Sequence, residues 1–170
     1  LKRVEKMASG KLLPTKSGYG RGFACGVYEK NSFVAVSVDL HIDHEARKIC
    51  IDRMCCAQDV GMAINPDQLR AQIESNLVWS IGMALMEKVE IEDGQIASNN
   101  FHNYIIPRMS DIPELNIDVI DNPTIHPAGA GEVALIAGSP AIANAIRDAT
   151  GLRLTRLPIK YTDITVPGAL

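Results

Sequence analysis

Three consecutive stretches in the first third of the chain alternate between two faces. Residues 21–28 run from Arg21 to Tyr28 through the small residues Ala24, Cys25 and Gly26, a composition that lets another element pack closely. In residues 32–42, Phe33, Ala35, Ser37 and Asp39 oppose Val34, Val36, Val38 and Leu40. After a turn at Asp43–Ala46, Ile49, Ile51 and Arg53 oppose Lys48, Cys50, Asp52 and Met54 over residues 47–54. A period of two in three adjoining segments predicts an antiparallel meander with one buried face. The period then lengthens. Leu69, Ile73, Leu77, Ile81, Ala84 and Leu85 recur at helical spacing. This predicts a helix over residues 66–86, with Asn65 as N-cap, Pro66 at the first helical position and Gln68 placed to complete a capping box. A second row on that helix holds Gln72, Asn76, Trp79 and Met83. A mixed row beside a core stripe can face a ligand or another domain, or stand half-exposed in water.

The remaining pattern is more broken. Residues 88–96 read as a hairpin turning at Glu92-Asp93-Gly94. Residues 98–108 are irregular, polar and aromatic. Leu115, Ile117 and Val119 alternate with Asn116, Asp118 and Ile120 as a strand. Ser139 and Pro140 are placed to cap and open a second helix, with Ile142, Ala145, Ile146 and Ala149 as its buried face and Gly151 as its stop. Residues 152–170, with Pro158 and Pro167, read as an extension over the surface. At the other end Leu1, Val4 and Ala8 recur at helical spacing with Gly10 as a candidate C-cap. Residues 1–10 therefore read as the closing turns of a helix that begins earlier, in a longer protein. The fold class expected is α+β: a mostly antiparallel sheet with two main helices packed on it in two layers.

Composition narrows the function classes. The 170 residues are 46% hydrophobic and 22% charged, with a net charge of −3. That is ordinary globular usage with enough apolar material for a core. No basic block or aromatic–basic stripe points to nucleic acid, and no apolar run approaches the ~20 residues that span a bilayer. Cys25, Cys50, Cys55 and Cys56 have neither zinc nor iron–sulfur spacing, so they read as buried or half-buried free thiols. Free thiols lean toward a reducing compartment, while bacterial cytoplasm and periplasm both stay open. His41 and His44 flank a hairpin turn without a third residue at metal-ligand spacing, and read as solvated.

One stretch is unlike a plain surface turn. Ile125-His-Pro-Ala-Gly-Ala-Gly-Glu-Val133 ends on a carboxylate directly after two glycines. Gly129 and Gly131 permit positive φ or close approach of the backbone to a bound group. The stretch lacks the third glycine of a dinucleotide fingerprint and the Lys-Ser/Thr of a phosphate loop, and no Gly-x-Ser-x-Gly occurs. The residues alone yield one carboxylate, Glu132, on a glycine loop and one polar helix row headed by Gln72.

Several blocks, in order, carry a resemblance. They are Gly20-Arg-Gly22, Asn65 to Glu74, Ser98-Asn-Asn-Phe-His-Asn-Tyr104 with Arg108, Asp111 to Ile117, Gly129-Ala-Gly-Glu132 with Ser139 to Ala145, and Arg156-Leu-Pro158. Across nearly the whole chain this resembles the C-terminal part of the molybdopterin-binding large subunit of the xanthine dehydrogenase / aldehyde oxidase family. Its likeness is greatest to the β subunits of isoquinoline 1-oxidoreductase-type enzymes. The resemblance implies that residues 1–170 are a single C-terminal fragment of a molybdopterin-binding domain. It implies hydroxylation of an electron-poor carbon in an N-heterocycle or an aldehyde, with water as oxygen source. Glu132 matches the family's general base and Gln72 its pterin-contacting amide, while Gly129 and Gly131 would let backbone approach the metal end. A base of modest pKa suffices where a metal has already acidified the oxygen ligand, and a closed apolar site raises a carboxylate toward that range.

The implied cofactor is a molybdenum–pterin group held by the full-length protein. The implied partners are an iron–sulfur small subunit, a heterocycle or aldehyde substrate, and a second copy in a dimer of heterodimers. No metal is assigned to this chain's own side chains, and the fragment alone is expected to be inactive. Ser75-Asn76 stands where the family has Gly-Gly, and Val133-Ala134-Leu135 where it often has a proline. These departures leave the pocket's shape open, with His126 as a further candidate lining residue. They also motivate an alternative: a non-catalytic assembly module that keeps the fold without the chemistry.

Overall fold

A computed structural model describes residues 1–9 and 17–164. Residues 10–16 and 165–170, among them the candidate C-cap Gly10 and Pro167, lie outside the described residues. The elements run α1 (Lys2–Ser9), β1 (Tyr19–Tyr28), β2 (Ser32–Asp43), β3 (Lys48–Asp59), α2 (Pro66–Leu85), β4 (Ile91–Glu92), β5 (Gln95–Ile96), β6 (Glu114–Ile120) and α3 (Leu135–Thr150), with short 3-10 turns at Met109–Asp111 and Tyr161–Ile164. The fold is α+β. Strands β1, β2 and β3 form the expected antiparallel meander, and β6 joins β3 in parallel, so the sheet order is β1-β2-β3-β6. Alternation does not reveal that parallel closure, because a strand's pattern records which face is buried and not who its neighbour is.

Helices α2 and α3 cover one face. Val34, Val36, Val38, Leu40 and Met54 meet Ile73, Leu77, Ile81, Ala141, Ile142 and Ile146 in the main core. Each large side chain buried there contributes about 1.5–3 kcal/mol of transfer free energy. Close approach of α3 is set by glycine. A Cβ at Gly22 would strike the Ala141 carbonyl and the Ala145 amide, and one at Gly20 the Ala145 carbonyl and the Ala149 amide. The small-residue strand signal was therefore real, and its strongest positions lie just before the Ala24–Gly26 stretch.

Three expectations need correction. First, the meander has two covered faces. Helix α1 packs on the opposite side, where Val4 joins Ala35, Cys55 and Ala57. There Asp39 accepts hydrogen bonds from Arg21 (Nη2, 2.9 Å) and from Arg53 (Nη2, 2.7 Å), the three being direct cross-strand neighbours. Arg53 also donates to the Ala8 carbonyl at 2.9 Å, so it closes the C-terminal end of α1. Polar residues in the alternation thus mark a buried ion cluster as well as a solvent face.

Second, α3 starts at Leu135, with Ala134 at its N-cap and Pro140 inside the helix. Packing overrides the Ser-Pro signal: Val133, Ala134, Ala137 and Ala141 are all buried. Ser139 uses its hydroxyl to bond the Ser80 carbonyl of α2 instead of capping α3. The stop at Gly151, φ 77°, is as expected. Third, the stretch after α3 is partly internal. Ile159 is buried and its N–H donates to the Ala84 carbonyl at 2.7 Å, closing the end of α2.

Of the other local signals, the Asn65 cap and the two turns hold, while no return bond from the Gln68 side chain completes a capping box among the described residues. Asn65 accepts from the Gln68 amide at 3.1 Å at the N-cap of α2. Asp93 and Gly94, both at positive φ, turn the β4–β5 hairpin. Of the four free cysteines, Cys55 and Cys56 are buried, Cys50 is half-buried, and Cys25 is exposed, contrary to expectation. Cys25 lies on the outermost strand β1, one side of which has no partner strand among the described residues.

Candidate active site

The parallel pair β3–β6 sends two chain segments out at the same end of the sheet, where α/β ligand crevices commonly form. The two segments are stitched together by backbone. Asn122 donates to Gly61, Met62 to Ile125 at 3.0 Å, and Ala128 to Val60 at 2.8 Å. Gly61 makes the contact possible, since it has φ +78° and a Cβ there would run into the His126 carbonyl. The glycine loop that follows is then tied at two more points. Ser32 Oγ donates to the Gly129 carbonyl at 2.7 Å, and Asn76 Nδ2 donates to the Gly131 carbonyl at 2.7 Å.

Glu132 follows directly. It lines a cavity of about 480 Å³ together with Gln72, Asn76, Trp79, Tyr28 and Gly131. Gly129 is also on its wall. A second crevice of about 260 Å³ adjoins it, sharing Gln72 and Gly131 and reaching the N-terminal turn of α2. The four residues singled out from the sequence, Gln72, Gly129, Gly131 and Glu132, therefore meet on one cavity. Three of the four members of the mixed helix row do so as well, while Met83 does not line it.

Other expectations are changed. Neither Gly129 nor Gly131 has positive φ. A Cβ at Gly131 would project into open space, so the value of glycine there lies in leaving the wall low. Glu132 is exposed and not enclosed by the described residues. His126 is exposed and lines neither crevice; its backbone is what matters, as the acceptor face against Gly61. The Ser98–Tyr104 block is also away from both crevices, with Tyr104 donating to Glu87 at 2.9 Å.

Tyr28 was missed, while Ser75, marked in the sequence only as a departure from the family pattern, also lines the cavity. Tyr28 ends β1 just before a turn in which Glu29 and Lys30 both hold positive φ. That tight turn brings Tyr28 and Ser32 back beside Gly129, a proximity no periodicity in the sequence announces.

The histidine pair divides. His44 Nδ1 lies 3.0 Å from the Tyr161 hydroxyl. His41 Nδ1 lies 2.9 Å from Asp52, and its ring stacks on Tyr19. Cross-strand pairing also brings Asp43 and Cys50 to His41, with one potential ligand atom of each within 4.8 Å of the others. Linear spacing did not show that grouping because the third residue comes from the neighbouring strand.

Two observations bear on whether the crevice could take a cofactor. Asn76, a residue of the cavity wall, is 3% exposed, and among the described residues its buried Oδ1 has no hydrogen-bond partner. The open ground over Gly131 lets a planar group approach the backbone beside that oxygen. Both fit a polar, donor-bearing occupant.

Comparison with known proteins gives a consistent result. Residues 4–113 match the molybdopterin cofactor-binding domain family, a match that ends before the Glu132 loop. The chain is similar to the isoquinoline 1-oxidoreductase β subunit of Brevundimonas diminuta, 32% identical over 162 residues, covering 94% of this chain and 20% of that protein. It is similar to a nicotinate dehydrogenase subunit of Pseudomonas putida, 33% identical, covering 82% of this chain and 12% of that protein. Among solved structures, quinoline 2-oxidoreductase from Pseudomonas putida 86 superposes with a TM-score of 0.70 at 25% identity, over 77% of this chain and 18% of that one. The chain thus spans about a fifth or less of the length of these relatives.

Proposed function

Since the chain belongs to the molybdopterin cofactor-binding domain family, we propose that it is the C-terminal part of a molybdenum hydroxylase large subunit and supplies one wall of its active site, with Glu132 as general base. The proposed substrates are N-heterocycles or aldehydes, the chemistry named for its relatives. The proposed partner is an iron–sulfur small subunit, in a dimer of such heterodimers. When bound, the molybdenum–pterin group supplies the two-electron redox chemistry and activates water as the oxygen source.

This chain's residues do the rest. The Glu132 carboxylate would take the proton from the water-derived oxygen as that oxygen bonds to the substrate carbon, while the hydrogen leaving that carbon and its electron pair would pass to the redox group the full-length protein would hold. Its place is fixed by the two ties on the preceding backbone, Ser32 to Gly129 and Asn76 to Gly131. The Gln72 side chain, exposed at the junction of the two crevices, can both donate to and accept from a pterin edge. Trp79 and Tyr28 offer aromatic surface for a flat ring. The observation that carries the reading is the convergence of Gln72, Gly129, Gly131 and Glu132 on one cavity.

The test is Glu132→Gln in the intact protein. A lost general base lowers kcat by about 10²–10⁴-fold, with molybdenum content unchanged. Turnover near the wild-type rate would remove Glu132 from this role. The competing view, an assembly module without chemistry, takes its support from Val133 and Ala134, which stand where the family often has proline and are buried under α3. Metal analysis decides between them, since molybdenum at one atom per subunit rejects the module.

A further inference from the structure

Among the described residues, Asn76 is the one buried polar side chain on the wall of the Glu132 cavity, and its two ends have opposite fates. The nitrogen is spent. Nδ2 donates to the Gln72 carbonyl one turn back at 2.5 Å and to the Gly131 carbonyl at 2.7 Å. Because both partners are carbonyl oxygens, the amide orientation is fixed: nitrogen toward the loop, oxygen away from it. The oxygen has no partner among the described residues. A side chain that is 3% exposed and half-satisfied carries a desolvation penalty that a bound donor removes. The same wall also carries side chains that can donate, Tyr28, Gln72, Ser75 and Trp79, so the unpaired acceptor that distinguishes Asn76 is its Oδ1. An acceptor on the occupant would leave that oxygen unpaired, while an N–H or O–H would be taken up.

We propose that Asn76 has two functions in this cavity: its Nδ2 latches the Glu132 loop to α2, and its Oδ1 selects an occupant bearing an N–H or O–H donor at that edge. The proposal rests on reading the cavity as the binding site. It makes Asn76 a positioning residue for Glu132 and a recognition residue for the occupant. The donor can come from the ring N–H or amino groups of the pterin, or from an N–H or O–H of the heterocyclic substrate, and the two sources leave different traces.

The experiment uses the intact protein as wild type, Asn76→Ala and Asn76→Asp. Amide hydrogen exchange over residues 125–133 is measured with and without cofactor. Molybdenum and pterin content are measured, and KM and kcat are compared for a heterocycle that carries a ring N–H or O–H and an analogue that carries none. N76A removes both functions, and N76D keeps a side-chain oxygen while losing both N–H donors. Loop exchange is expected to quicken about tenfold in both variants, as for the loss of one neutral hydrogen bond. In N76A, a pterin donor shows as cofactor lost on dialysis. A substrate donor shows as normal cofactor content with KM raised about tenfold for the donor-bearing compound alone. In N76D, cofactor retention or donor preference stays. Unchanged loop exchange in N76A overturns the latch. Unchanged cofactor content together with equal KM changes for both compounds overturns the recognition role. A wild-type protein without molybdenum counts against the hydroxylase reading alone, because the cofactor-free exchange comparison still decides the latch.

Discussion

At the scale of single residues, burial decides what a side chain can do. Cys56 is fully buried on β3, and burial, with a smaller push from the neighbouring Cys55, raises its thiol from the usual value near 9 to about 12. Since the folded pKa lies above the unfolded one, the protonated thiol favours the folded state. That contribution is complete below pH 9 and is lost as pH rises toward 12. Cys56→Ala removes it. The stability advantage of wild type over the variant, read from urea midpoints, should therefore hold from pH 7 to 9 and shrink above 9, by about 1.4 kcal/mol per pH unit at most. A gap that stays constant to pH 11 would contradict it. Asn76 shows the same logic at the cavity. Its residue type was visible on the helix row, but nothing in the sequence tells which end of an amide will be left without a partner. Ser32 is a similar case: a hydroxyl at a strand start is unremarkable until folding sets it 2.7 Å from the Gly129 carbonyl.

At the scale of elements, legibility followed how local the cause was. The N-cap of α2, the Asp93-Gly94 turn and the Gly151 stop are decided within a few residues, and each could be read directly. The start of α3 could not, because Val133, Ala134 and Ala137 extend the helix by burying themselves against elements far away in sequence. The length of β3 was also underestimated. Cys55, Cys56, Ala57 and Gln58 are all buried between two helical layers and a parallel neighbour, so they show no alternation to read. The contact between β1 and α3 is the firmest element-scale claim open to test. Gly22→Ala would push a methyl against helix backbone that has no flexible end to yield. It should destabilise the protein by about 1–3 kcal/mol, seen as a lower thermal midpoint. A fall of under 1 °C would mean the helix can shift freely on the sheet.

At the scale of the whole molecule, the candidate site is a product of topology. Strand pairing delivers Gly61 and His126 to the same place, and α2 delivers Gln72 and Asn76 beside them. The sequence named Gln72, Asn76 and His126 but not Gly61, and not this meeting, since it depends on β6 running parallel to β3. The described surface also carries much apolar material: Phe101 is 94% exposed, Met109 84% and Ile64 76%. Ile105 and Ile106 are exposed as well and line one cavity with Leu85 and Met86, and grouped exposed apolar residues favour association. The 170-residue chain on its own should bind an apolar dye and self-associate at micromolar concentration, checked by light scattering after size-exclusion chromatography. A monodisperse monomer that leaves the dye dark would refute that. Trp79 gives this architecture an optical consequence. It is the chain's single tryptophan, and it stands in the cavity wall with Glu132. The protein's indole emission therefore originates at the candidate site, half in water, and any ring that settles against α2 there will change its colour or quench it without a label being added.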